Sequence, residues 1–132
     1  MPEVYAPSSA PVTLVAADNA TFAASIQFDP PVAGVTGPAW TLTGQKFAMD
    51  IEANHEQNTP LLSLRSDDGE IVVDDVTDRI IHFNVPYTVI QAALVPGEYV
   101  YDLVMYDTAS PPVRTVLMHG KFIVGDGVTG AP

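Results

Sequence analysis

The sequence predicts an all-β fold, an antiparallel sandwich of seven or eight short strands with an extended N-terminal arm. Three observations carry that expectation. Apolar and polar residues alternate with a period of two in several segments, most clearly in 45–53, where Phe47, Met49 and Ile51 share one parity and Lys46, Asp50 and Glu52 the other. Turn-forming residues interrupt these segments at short intervals, with 12 prolines and 9 glycines among 132 residues. Helical spacing is confined to 86–94, where Pro86 stands near the start and Val89, Ile90 and Ala93 follow.

Taken in order, residues 1–11 are rich in Pro, Ala and Ser and carry no periodicity. They read either as a frayed terminus or as an arm lying along a neighbouring subunit. Residues 12–124 form the sandwich domain and 125–132 a Gly-rich tail. Within the domain, Val12 to Ala16 begins the strands. Thr21 to Phe28 follows, with Phe22, Ala24, Ile26 and Phe28 on one face. Residues 29–39 hold three prolines and two glycines, which forbid a regular ladder, and Trp40 follows. After the strand at 45–53 come two short ones, Leu61 to Arg65 and Glu70 to Val73. The Asp68-Gly69 pair between them signals a hairpin. Arg79 to Val85 puts Ile81, Phe83 and Val85 on one side.

The final third is the best-specified hairpin. Tyr99, Tyr101, Leu103 and Met105 share one face of 98–106, and Val116, Met118, Phe122 and Val124 share one face of the return strand. Asp107 to Pro112 turns the chain between them. Gly120 marks a bulge or a close approach of backbone.

Composition narrows the function. Nearly half the residues (47%) are apolar, enough for one packed domain. Five basic residues against sixteen acidic ones give a net charge of −11, which repels phosphate backbones and argues against nucleic-acid binding. Absence of cysteine removes disulfides, thiolate metal sites and thiol nucleophiles. No apolar run approaches the ~18 residues of a membrane helix, and no secretory signal is visible, so assembly in the cytoplasm is expected.

Motifs for chemistry are weak. The glycines at 125, 127 and 130 match a dinucleotide fingerprint by letter, but that motif needs a helix opening behind them, and none is predicted. Asp67, Asp68, Glu70, Asp74, Asp75 and Asp78 crowd two turns without the spacing of a calcium loop, and solvated turns are the ordinary reading. His55, His82 and His119 are isolated, and no serine sits in a nucleophile elbow. The expectation is no catalytic residue, no metal and no cofactor. The Asn19-Ala20-Thr21 sequon has no route to glycosylation without a signal.

Two features point to partners instead. The face of 98–106 opposite the core carries Val100, Val104 and Tyr106, more apolar than a solvated face requires. A loop, the arm or another subunit would cover it, a loop being the favoured reading. Trp40 is a second candidate anchor, against the commoner role of a core plug. Val4 and Tyr5 are the apolar residues the arm would offer.

Leu94-Val95-Pro96-Gly97-Glu98-Tyr99 resembles the tyrosine corner of immunoglobulin-like sandwiches, with Tyr101 where such a domain has its second cysteine. A longer likeness runs from Trp40 to Thr129: Leu42-Thr43-Gly44 with Phe47 and Ile51, then Asp68-Gly69-Glu70-Ile71, then Gly97-Glu98-Tyr99-Val100-Tyr101-Asp102-Leu103, then Gly120-Lys121-Phe122-Ile123-Val124 with Val128-Thr129. This order is similar to small structural proteins of tailed bacteriophages. The resemblance implies an Ig-like sandwich carried in many copies on a virion, contacting other virion proteins and copies of itself, with no catalytic residues. A capsid decoration (cement) role is the leading expectation and a neck, tail or baseplate accessory role the alternative. A carbohydrate-binding module is a further alternative, though Trp40, Tyr87 and Tyr106 are too scattered to show an aromatic platform.

Overall fold

A computed structural model describes residues 11–28, 41–54, 56 and 59–127. Eight strands and one short helix follow one another: β1 (Leu14–Ala17), β2 (Ser25–Gln27), β3 (Lys46–Glu52), β4 (Leu62–Arg65), β5 (Ile71–Asp75), β6 (Ile80–Phe83), α1 (Tyr87–Ala93), β7 (Gly97–Tyr106) and β8 (Arg114–Gly125). They form a five-stranded sheet in the order β1-β8-β7-β3-β4 and a three-stranded sheet in the order β2-β6-β5. That division places β3, β4, β7 and β8 as the C, C′, F and G strands of an immunoglobulin-like sandwich, and β2, β5 and β6 as B, D and E. All pairings are antiparallel except that of β1 with β8, which runs parallel from Leu14 opposite Phe122 to Ala17 opposite Gly125.

Alternation along each strand builds the core. Phe47, Met49 and Ile51 of β3, Leu64 of β4, Leu103 of β7 and Phe122 of β8 face Ile71, Ile81 and Phe83 of the other sheet, all essentially sealed from solvent. Phe22 joins the layers. Its ring stacks on Phe83 at 5.1 Å and meets Phe122 edge-on at 5.3 Å, both favoured aromatic geometries. Helix α1 carries the chain from β6 to β7, and its Ile90, with Leu94 just beyond, plugs that end of the sandwich.

Two sequence expectations change, and a third is decided between its alternatives. Asp68-Gly69 does not turn a hairpin: β4 pairs with β3 and β5 with β6, so 66–70 crosses between sheets. Leu64 and Ile71 must each enter the core from opposite layers, which a hairpin within one sheet would prevent. Gly69 still takes the left-handed conformation, with φ of 79°, closing a 3-10 turn at Ser66–Asp68.

Val116 does not share the core face of Met118. The β7–β8 register shifts between Leu103 and Val104, and both Leu117 and Met118 are buried there. One extra residue on β8 reverses the parity beyond it, leaving Val116 48% exposed. Gly120 is the close approach, not the bulge. It lies against the backbone of Val12 with φ of 151°, and a Cβ there would collide with that backbone.

The tyrosine corner is present. Tyr99 Oη donates to the Val95 carbonyl at 2.5 Å. Tyr101, in the place of the second cysteine, reaches over Gly120 and donates to the Val12 carbonyl at 2.7 Å. The Val12 amide donates in turn to the His119 carbonyl at 2.8 Å, so the root of the N-terminal segment is tied once to β7 and once to β8. Of the arm, residues 1–11, all but Pro11 lie outside the described residues.

Candidate interaction surface

The outer face of the five-stranded sheet gathers what the sequence scatters. Odd-numbered residues of β3 fill the core, so Lys46, Ala48, Asp50 and Glu52 face outward. The same parity on β7 turns out Glu98, Val100, Asp102, Val104 and Tyr106, and the bulge on β8 delivers Arg114, Val116, His119 and Lys121. Strand register then sets these residues in rows. Lys46, Tyr106 and Arg114 stand side by side, as do Ala48, Val104 and Val116, and then Asp50, Asp102 and His119.

Four of the five basic residues of the chain lie on this face: Lys46, Arg65, Arg114 and Lys121. The fifth, Arg79, is buried, and its guanidinium donates to the Phe28 and Thr77 carbonyls at 3.0 and 2.8 Å. Four carboxylates share the face, so it is close to neutral on a domain of net charge −11. Arg65 pairs with Asp50 at 2.9 Å, Lys121 with Glu98 at 3.2 Å and Lys46 with Asp67 at 3.0 Å. Glu52, Asp102 and Arg114 have no ion pair among the described residues.

Those three charges border one groove of about 450 Å³, lined also by Asp50, Val100, Val116 and His119. Asp102 sits against Asp50 there. Its carboxyl is held above its ordinary value, first by desolvation and then by the Asp50 charge, while Arg114 and His119 act the other way.

Of the residues singled out in the sequence, Val100, Val104 and Tyr106 fall on this face. Val104 is 6% exposed yet stands apart from the main core cluster. Val100 and Tyr106 are half-buried. The favoured covering loop is not found among the described residues, since the groove opens beside Val100 and Val116 is exposed. Val4, Tyr5 and Trp40 lie outside the described residues. Asp50, Asp102, Arg114 and His119 escaped the sequence reading as a group, because the register of three strands far apart in sequence brings them together. The outward parity of Asp50 and Glu52 was the one local signal.

The crowded acids of 67–78 go to separate tasks. Asp67 pairs with Lys46, Asp74 with His82 Nδ1 at 2.8 Å, and Glu70 and Asp75 accept from backbone amides. No group of three or more His, Asp or Glu side chains among the described residues is placed to hold a metal. His55 lies outside the described residues. Gly125 and Gly127 are tied to β1's exit: Asp18 N donates to the Gly125 carbonyl, and Gly127 N to Asp18 Oδ1.

Fold and surface together define a small immunoglobulin-like sandwich with one near-neutral, partly apolar sheet face on an otherwise acidic body. No protein-family model matches the chain, and no curated protein matches it.

Proposed function

We propose that this protein is a non-enzymatic structural component of a tailed-bacteriophage virion, a capsid decoration protein that binds neighbouring subunits through its N-terminal arm and the outer face of the five-stranded sheet. The observation that carries the binding role is the concentration of four of the five basic residues, with Val100, Val104, Val116 and Tyr106, on that one face. Interfaces combine an apolar centre with charges that fix register, and this face has both. The virion assignment rests on the motif order from Leu42 to Thr129.

The tethers of Val12 to Tyr101 on β7 and to His119 on β8 fit an arm anchored at a defined point, ready to lie on a neighbour. Many copies would make individually modest contacts sufficient. A neck, tail or baseplate position is the competing location within the same reading.

Co-sedimentation of the purified protein with undecorated heads and, separately, with isolated tails tests this. Saturable binding to heads that is lost on deleting residues 1–11 supports decoration through the arm. Binding to tails alone moves the protein there, and binding to neither overturns the virion reading. Selective binding on a glycan array would replace it with a carbohydrate-binding module.

A further inference from the structure

We infer that the outer face of the five-stranded sheet joins two copies of this chain, related by a two-fold axis that crosses the strands along the Ala48–Val104–Val116 row. This rests on the reading of that face as a contact surface, and names a second copy as its occupant. It does not require the virion assignment.

The argument is the order of the rows. The central row is uncharged on β3, β7 and β8, where Ala48, Val104 and Val116 stand in register, and continues on β4 with Arg65, whose guanidinium is turned to Asp50 of its own chain at 2.9 Å. On one side lies a basic row, Lys46, Tyr106 and Arg114, and on the other an acidic one, Asp50, Asp102 and His119. On β3 and β7 the two rows are each two residues from the centre, about 7 Å along a strand. Rotation about the central row therefore lays the basic row of each copy on the acidic row of the other. Lys46, paired with Asp67 in its own chain, then faces Asp50 of the second copy, Tyr106 offers its hydroxyl to Asp102, and Arg114 faces His119 with Asp102 beside it. Each contact occurs twice, as a closed two-fold interface demands.

Two further features agree. Asp50 and Asp102 stand directly opposite each other, and Arg65 meets Asp50 at 2.9 Å while Asp102 has no ion pair among the described residues, so a cation arriving from outside is favourable at Asp102. Two bodies of net charge −11 repel, and all four exposed basic residues that could offset this lie on the same face.

Sedimentation velocity of the full chain over a range of concentrations, at low and high salt, tests the proposal. A dimer is expected that weakens as salt rises. Val116→Asp, a substitution at an exposed position on the axis, should weaken association by at least about tenfold, the order seen when a charge is left without a partner at an interface. Arg114→Glu and Asp102→Arg should each weaken it, and the two combined should restore it, because the swapped charges again face each other across the axis. Circular dichroism establishes that each variant is folded. A monomer throughout at low salt, a dimer indifferent to Val116→Asp, or a double variant no better than its singles overturns the proposal. Head and tail binding is measured separately, so failure of either reading is distinguishable from failure of the other.

Discussion

Asp50 on β3 and Asp102 on β7 occupy directly opposing positions in the five-stranded sheet, with no basic residue between them. Like charges so placed oppose pairing, and the fold tolerates them because Arg65 meets Asp50 from β4 at 2.9 Å and because the strands are already fixed by the core on their other face. Phe47, Met49 and Ile51 alternate with Asp50 on β3, and Tyr101 and Leu103 flank Asp102 on β7. Register is set from inside, and the outer face takes the consequence.

Asp102→Asn should therefore stabilise the domain at neutral pH, by about 0.2–1 kcal/mol, the range of a cross-strand pair. The carboxyl titrates above its ordinary 3.8 in the fold, so the native state holds that proton more tightly than the unfolded chain. The contribution of Asp102 to stability falls as pH rises from about its ordinary value through the raised one. Urea denaturation at several pH values would show the variant and the parent converging in acid and separating toward neutrality. A constant difference at every pH would contradict the assignment.

Tyr101 gives the alkaline counterpart. Burial pushes its phenol up to about 12 from an ordinary 10.0. Above the ordinary value the unfolded chain loses the proton while the folded one keeps it, so stability is lost as pH climbs through that window. Tyr101→Phe should remove this alkaline loss. At neutral pH it should cost about 1 kcal/mol for the missing bond to the Val12 carbonyl. Tyrosinate absorbance against pH, alongside denaturation, measures both effects.

Tyr99→Phe isolates the corner. Its hydroxyl bonds the Val95 carbonyl between α1 and β7, and its loss should cost about 1 kcal/mol with little change in the sheet. Hydrogen exchange should rise first in the segment from Leu94 to Glu98.

Gly120→Ala should be more severe than either. The new Cβ collides with the Val12 backbone, and the φ of 151° is one that side chains rarely adopt. A loss of about 2–3 kcal/mol is expected. Faster amide exchange at Val12 would follow, as the N-terminal root lifts from β8.

Phe122→Ala tests the joint between sheets. The side chain is fully buried, stands opposite Tyr99 and meets the Phe22 ring edge-on. Chemical denaturation should show a loss of about 3–5 kcal/mol, the range for emptying an aromatic site in a core.

Much of the fold was legible locally. The alternation at Phe47, Met49 and Ile51, the helical spacing behind Pro86, and the Gly97-Glu98-Tyr99 corner each state their own structure, because side-chain parity and turn chemistry act within a few residues. Asp68-Gly69 misled for the opposite reason. A left-handed glycine closes a turn whatever the strands beyond it do, and only burial of Leu64 and Ile71 in one core decided that they belong to different sheets. Val116 was misassigned because a bulge is invisible to strict alternation.

The sequence by itself determined an acidic all-β domain, the identity of most core residues and the corner that opens β7. Those properties follow from hydrophobic periodicity and turn residues, which are local. Tertiary structure alone decided the rows on the outer face: that Asp50 meets Asp102, that Lys46 aligns with Tyr106 and Arg114, and that Ala48, Val104 and Val116 lie between them on β3, β7 and β8. Those neighbours come from strands up to seventy residues apart, brought into register by the packing of their opposite faces, so no local pattern encodes them.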